Sequence, residues 1–237
     1  MGEMESKARG ILLDFDHTLF DTDRFFWVDL KRALARFGIP DDAWEKSYEA
    51  IWSSGYSLAK HLEELARLGA VADPPTVQAM REALESAFSD LRPYLFPDVL
   101  EFLDTARHRG FELILLSFGD PAWQSYKVRA SGVTPYFTQI VYTAKEAGKA
   151  ALCAERALQY RELYAIDNNP ADLDAMKAST PGLQTYLICR VEPSAPEGED
   201  PLVRDRFREA AKYLTIPSLL THLRCHSLKE VSLSWPN

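Results

Sequence analysis

The sequence predicts an α/β fold: a parallel sheet with helices on both faces, interrupted after its first strand by an all-α insertion. Three observations carry this. An apolar run from Gly10 to Leu13 breaks off in Asp14-Phe15-Asp16-His17-Thr18. From Asp23 to Arg92 apolar residues recur at helical spacing, and nothing there reads as a strand. From Asp98 to Cys189 short apolar runs alternate with amphipathic ones, the rhythm of a parallel sheet.

In chain order, Ile11 to Phe15 is the first strand. A helix over Asp23 to Phe37 carries Phe26, Leu30, Ala33, Leu34 and Phe37, and Gly38 and Pro40 stop it. Asp41 or Asp42 caps a second helix with Trp44, Tyr48, Ile51 and Trp52. The third carries Leu58, Leu62, Leu65 and Leu68, and Pro74-Pro75 opens a fourth with Val77, Met80, Leu84 and Phe88. This block reads as a separate domain over 22–92, inserted into a core made of 1–21 and 93–237.

After the connector Pro93 to Pro97, Asp98 caps a helix that Gly110 stops, and Phe111 to Leu116 is a strand ending at Ser117. Next come a helix from Pro121, a strand over Gln139 to Tyr142, a helix around Ala150 to Tyr160, and a strand over Leu163 to Ile166 ending in Asp167. Pro170 to Ala178 is helical and Leu183 to Cys189 a strand. Val191 to Asp200 reads as a loop, and the arginines Arg204, Arg206 and Arg208 as a solvated helix face. Tyr213-Leu214-Thr215 is read as a short edge strand, Pro217 to Leu223 as the last helix, and the tail from Ser227 carries no functional signal.

The chain has 237 residues, 46% hydrophobic and 26% charged, which is ordinary for a globular protein with a sizeable core. A formal net charge of −8 argues against binding nucleic acid. Cys153, Cys189 and Cys225 are far apart and odd in number, fitting neither a disulfide framework nor a zinc site. No apolar stretch approaches a membrane span or a signal peptide, so the expectation is a cytoplasmic protein with no membrane partner, a monomer being slightly favoured.

Chemistry emerges at the strand ends, where open parallel sheets bind ligands. Asp14 and Asp16 share a side of the first strand if the extended geometry persists. Two carboxylates leaving a buried strand together repel and lose water, a cost that a cation or a reaction offsets. Ser117 and Asp167 end later strands on the same sheet edge, with Lys145 and Lys149 between them. Taken singly, each is more often a helix cap than a catalyst. The joint arrangement argues for a site. His61, His108, His222 and His226 show no ligand spacing and read as structural.

These residues identify a resemblance to the haloacid dehalogenase-like hydrolase superfamily, of the phosphatase type with an inserted helical cap on a Rossmann-like core. The Asp-x-Asp-x-Thr signature of family phosphatases is met by Asp14, Asp16 and Thr18, the strand-end hydroxyl by Ser117, and the acidic motif by Asp167-Asn168-Asn169-Pro170-Ala171-Asp172. The resemblance implies hydrolysis of a small phosphorylated metabolite with magnesium as cofactor. Asp14 would be the nucleophile and Asp16 the general acid and base. Ser117 would bind the phosphoryl group with Thr18 and the main-chain N–H groups of Phe118 and Gly119, and Asp120-Pro121 would start a helix whose dipole faces the anion. Asp14, the Asp16 carbonyl and Asp167 would hold the ion, with Asp172 a ligand or an outer anchor. Lys149, which precedes an amphipathic run, is favoured over Lys145 as the site lysine.

His17 stands where these phosphatases commonly carry glycine, and either tolerates the loop or touches substrate. Phe118 replaces a frequent asparagine, and Asn168 a second aspartate found in one subgroup. The insertion would select the substrate, with Ser53-Ser54-Gly55-Tyr56 as a contact and Lys60 as an anion binder, although a plain interhelical turn explains this stretch equally well. A dehalogenase is disfavoured because it has no need of Asp16, while a phosphomutase or a catalytically degenerate binding module remains an alternative. A receiver domain would place its phospho-acceptor on a later strand.

Overall fold

The computed structural model describes residues 8–52, 54–71, 74–143, 148–191 and 205–233. Six parallel strands form one sheet in the order β3-β2-β1-β4-β5-β6. They are β1 (Ala8–Leu13), β2 (Phe111–Phe118), β3 (Gln139–Thr143), β4 (Tyr160–Asp167), β5 (Gln184–Ile188) and β6 (Leu223–Cys225). The sheet order reverses on either side of β1, which is the position where parallel sheets of this kind open a ligand crevice.

The two faces of β1 enter different cores. Ile11 and Leu13 join Leu113, Leu115, Tyr164 and Ile166 on one face, against Val99 and Leu103 of α5 (Val99–His108) and Val128 of α6 (Pro121–Ala130). Leu12 joins Ile114, Leu116 and Ala165 on the other, against Cys153 of α7 (Gly148–Ala157) and Leu173 and Met176 of α8 (Pro170–Ser179). Alternation along a strand buried on both faces produces this division. Helices therefore cover both faces, as the sequence pattern implies.

Between Arg24 and Tyr94 every described element is helical: a π-helical stretch Arg24–Leu30 running into α1 (Lys31–Ala35), then α2 (Asp41–Trp52), α3 (Leu58–Arg67), α4 (Pro74–Ala87) and a 3-10 turn Arg92–Tyr94. The block shares the first of the two cores, since Phe25, Trp44, Met80 and Leu84 belong to the same apolar cluster as Leu13 and Leu115. A single regular helix was expected over Asp23 to Phe37. The wider π-helical winding instead lets the consecutive rings Phe25, Phe26 and Trp27 all be buried. Phe25 packs against Phe20, Phe88 and Tyr94, while Phe26 turns to Trp44, Tyr48 and Tyr56.

The C-terminal part departs furthest from expectation. Ala210–Thr215 is a helix, α9, where a strand was expected, and the edge strand is β6, in the stretch read as the last helix. Both reversals have long-range causes. The Asp23 carboxylate accepts hydrogen bonds from the Glu209 and Ala210 N–H groups at 2.9–3.2 Å and so caps α9 from far away in the sequence. Asp174 accepts from the N–H groups of Leu219 and Leu220 at 2.6 and 2.8 Å, which wraps that stretch around one carboxylate and leaves Leu223 to Cys225 free to pair with β5.

The arginines after Asp205 are not a solvated face. Arg206 forms a two-pronged pair with Asp21, and Arg208 pairs with Glu45 at 2.8 Å while lying over the Trp27 ring. Arg204 lies outside the described residues. Asp98 does not cap α5 either; its carboxylate takes Arg190, Ser227 and the Leu228 N–H. The tail thus has a structural role, with Leu228, Val231 and Leu233 buried in the core. Among the described residues no helix is long and apolar enough to cross a membrane.

Candidate active site

The sheet's central strand ends at Leu13, so Asp14 and Asp16 lie just beyond it. The Asp14 N–H still donates to the Ile166 carbonyl at 3.0 Å, which keeps this residue at the strand level. The chain then turns: the N–H groups of Leu19 and Phe20 donate to the Phe15 carbonyl, and that of His17 to Phe20. His17 takes the left-handed φ of +58°, where glycine meets less strain, and its ring lies 5.6 Å from Tyr213. Burial is the main reason its imidazole is pushed down to about 4, so it is neutral at pH 7.

The turn separates the two carboxylates and gives each its own lysine. Lys149 Nζ, from the first turn of α7, stands 2.8 Å from Asp14 Oδ1, 2.8 Å from Asp167 Oδ2 and 3.0 Å from Asp172 Oδ2. All four groups are buried. Burial and the mutual repulsion of the acids raise the Asp14 and Asp167 carboxyls, against the pull of Lys149. Burial opposes the charge on Lys149, but three carboxylates prevail and raise it well above its ordinary value. Lys145 lies outside the described residues.

Asp16 belongs to a second cluster. Its Oδ1 accepts from Lys127 Nζ at 2.5 Å and from the Thr22 hydroxyl at 2.6 Å, and its Oδ2 from the Gln124 amide at 2.9 Å. Burial acts to raise this carboxyl, but Lys127 and the hydrogen bonds outweigh it and hold Asp16 below the usual carboxylate range. Lys127 and Gln124 escaped the sequence reading. Their signal is the three-residue spacing on α6, which puts two polar side chains on the face that also buries Val128.

Ser117, the last residue but one of β2, is fully buried, and its hydroxyl has no hydrogen-bond partner among the described residues. A buried unsatisfied hydroxyl costs about 1–3 kcal/mol unless a ligand completes it; Ser117 directly precedes Phe118 and Gly119, which line the cavity, but is not itself among the lining residues. Thr18 is also fully buried, but its hydroxyl reaches toward Asn168 Oδ1 at 3.5 Å and it does not line the cavity. In this structure its hydroxyl braces the loop. Arg190, another residue the sequence reading missed, holds the Thr18 carbonyl through two N–H groups at 2.7 and 3.1 Å.

Three further expectations meet competing bonds. The Gly119 N–H donates to the Thr143 carbonyl at 3.0 Å. The Asp120 side chain caps α6 itself, accepting from the Ala122 and Trp123 N–H groups at 3.1 Å each, which occupies donors meant for an anion. Lys60 is bound to the Ser54 and Gly55 carbonyls at 3.1 and 2.9 Å and stands 3.7 Å from Asp120. It fastens the helical block to the sheet domain. Gly55 has φ +83°, and a Cβ there would stand 3.2 Å from the Asp120 nitrogen, so the close approach needs glycine. Ser53 lies outside the described residues.

The carboxylates and lysines form the floor of a cavity of about 120 Å³. Its upper wall is aromatic, with Phe26, Tyr48, Trp52, Tyr56, Trp123 and Tyr213. As a metal site, the floor has suitable donors: buried carboxylate oxygens of Asp14, Asp167 and Asp172, three acids for one ammonium, suit a hard divalent cation. Their oxygens close on Lys149, and among the described residues no three acidic, His or Cys side chains stand ready as a ligand set. Binding an ion there means drawing part of this acid cluster off the ammonium.

A family model for haloacid dehalogenase-like hydrolases matches residues 8–180. The chain belongs to this family. Proteins similar to it include a phosphoserine phosphatase of Thermus thermophilus, 31% identical over 186 residues, which span 68% of this chain and 72% of that protein. A glyceraldehyde 3-phosphate phosphatase of Methanopyrus kandleri is 26% identical over 222 residues, 85% of this chain and 94% of the other. Among solved structures, a haloacid dehalogenase-like hydrolase of Burkholderia xenovorans superposes with a TM-score of 0.67 at 17% identity, covering 94% of both chains. The L-2-haloacid dehalogenase of Xanthobacter autotrophicus superposes with 0.61 at 17% identity, covering 93% of this chain and 95% of that one. The structural likenesses establish the shared fold, and the two curated relatives place phosphatases among the chain's kin.

Proposed function

We propose that this hydrolase cleaves small-molecule phosphomonoesters by way of a phosphoryl group carried on Asp14, with magnesium as cofactor and the helical block over 22–92 acting as a cap. The observation that supports it most is the division of labour between the two aspartates. Asp14 sits among acids around Lys149, whereas Asp16 stands apart with Lys127, Thr22 and Gln124. A dehalogenase has no use for a second carboxylate with separate support, so Asp16 favours the phosphatase.

In the first step an Asp14 oxygen attacks phosphorus and the bond to the ester oxygen breaks; the departing alkoxide takes a proton from Asp16. In the second, Asp16 takes a proton from water, the water oxygen bonds to phosphorus, and the bond to Asp14 breaks to release inorganic phosphate. Asp16 as held here is ionised, which suits the second step directly. The approach of an anionic phosphate raises its proton affinity for the first. Ser117 offers its unpartnered hydroxyl to a phosphoryl oxygen, and Lys149 balances the charge that gathers on that group. Magnesium, held by Asp14, the Asp16 carbonyl and Asp167 with Asp172 beside them, would supply electrostatic stabilisation of the phosphoryl oxygens.

The test is phosphate release from a panel of phosphomonoesters, with and without magnesium, by wild type and Asp14→Asn. Release that needs both Asp14 and the ion is expected. An Asp14→Asn variant as active as wild type, or halide release from 2-haloacids without phosphate release, would sink the reading.

A further inference from the structure

We infer that the ester hydrolysed at this site carries an uncharged apolar or aromatic leaving group, received between Trp52 and Trp123 on the ring-lined wall above the acid floor. This rests on the proposed phosphomonoester hydrolysis and names the substrate class for it.

The first support is charge. The cations among the described residues lining the cavity are Lys127 and Lys149, and both are held by carboxylates at 2.5–3.0 Å. Glu209 also lines the cavity, with Lys212 as its partner at 2.8 Å. Among the described lining residues, a leaving group with its own carboxylate therefore meets acids and no cation that a carboxylate does not already hold, a repulsive arrangement in a site of low dielectric.

The second support is the wall. Trp52, the last residue of α2, lines the cavity and is 41% exposed although it is among the largest apolar side chains of the protein. Its ring meets Phe118 edge-on at 6.3 Å, so it bridges the helical block and the strand end that carries Ser117. Trp123, from α6, meets Tyr56 edge-on at 5.7 Å. The Tyr56 hydroxyl is engaged by His61 Nδ1 at 3.2 Å, while His61 Nε2 is held by the Trp44 carbonyl and Ser47, both deep in the block. That internal network takes the hydroxyl out of competition and presents Tyr56 to the cavity as a ring. Rings fixed in this way but left partly uncovered are surfaces for another apolar group.

Volume limits the size. The cavity of about 120 Å³ spans the acid floor as well as the ring wall, so a leaving group that shares it with the phosphoryl group is at most a single ring or a short alkyl chain.

The test compares kcat/KM for benzyl phosphate, O-phosphoserine, phosphoglycolate and phosphoethanolamine with the magnesium-loaded enzyme; all four leave as alkoxides, so ring acidity does not bias the result. Benzyl phosphate is expected to lead by roughly tenfold, the order for a well-placed ring contact plus an avoided charge clash. The benzyl-to-phosphoserine ratio is expected to fall roughly fivefold in Trp52→Ala and to return in Trp52→Phe. Preference for a carboxylate-bearing or ammonium-bearing ester, or a Trp52→Ala variant that leaves the ratio unmoved, overturns the inference while the phosphatase reading stands. Failure to turn over any ester removes both.

Discussion

On the sheet side of the cavity, Asp14, Asp167 and Asp172 meet one ammonium within 3.0 Å, whereas on the helical side Phe26, Tyr48 and Tyr56 meet through ring centroids 4.8–5.9 Å apart. The floor is held by charges whose energy changes steeply with distance and whose removal strands their partners. The roof is held by apolar area and ring packing, which tolerate small shifts and exchange of one ring for another. A substitution in the floor should therefore act on whether the reaction happens, and one in the roof on which ester is taken. α9 ties the two together, because its Tyr213 touches His17 of the floor while Arg208, just before it, grips Glu45 and Trp27 of the roof.

The sharpest way to break the contrast is Lys149→Met. It leaves three buried carboxylates without their ammonium, and a loss of about 3–5 kcal/mol in folding stability is expected at pH 7, read by urea denaturation, together with loss of phosphate release. A floor that tolerates this change as the roof tolerates Trp52→Phe would erase the distinction. Lys127→Met comes next. Asp16 would keep its hydrogen bonds from Thr22 and Gln124 but lose its counter-charge, and kcat is expected to fall about 10²–10⁴-fold, the usual span of one acid–base group. Steady-state kinetics check it, and a change confined to KM would move Lys127 from the chemistry to binding.

A third prediction, read as a pH slope, concerns the link between floor and roof. Burial raises the Asp23 carboxyl to about 7, against the hydrogen bonds from α9 and with help from Glu209 and Asp21. A carboxyl raised on folding keeps its proton in the native state where the unfolded chain has lost it, so its contribution to stability falls as pH rises from about 4 to about 7. Asp23→Asn removes that slope. The unfolding free energy of the variant minus that of wild type should therefore rise across this window, by at most about 1.4 kcal/mol per pH unit. A difference that stays flat with pH would show that Asp23 is ionised throughout, and that α9 is capped by a charge.

The same contrast governs what could be read from the sequence. Asp14, Ser117, Asp167 and Lys149 follow short apolar runs or open helices, and local pattern places all of them on one sheet edge. The strand alternation likewise made the parallel sheet legible. Lys127 and Gln124 were not, because polar residues at helical spacing look solvated until another element covers them; here that element is the Asp16 turn. α9 and β6 were misassigned because their causes, the carboxylates of Asp23 and Asp174, act across long stretches of chain that no local window contains. The aromatic roof was visible as apolar stripes, but not as a cavity wall. Which rings remain uncovered depends on how the π-helical stretch, α2 and α6 close on each other.

The claim on which floor and roof both depend is that the phosphoryl group passes through Asp14. The direct measurement is rapid acid quench of the magnesium-loaded wild-type enzyme turning over benzyl phosphate, followed by borohydride trapping and peptide mass spectrometry. The account predicts that the trapped acyl phosphate lies on Asp14 during turnover and is absent from Asp14→Asn. Steady turnover with no modified Asp14, or with the phosphoryl group on Asp16 or Asp167, would contradict it.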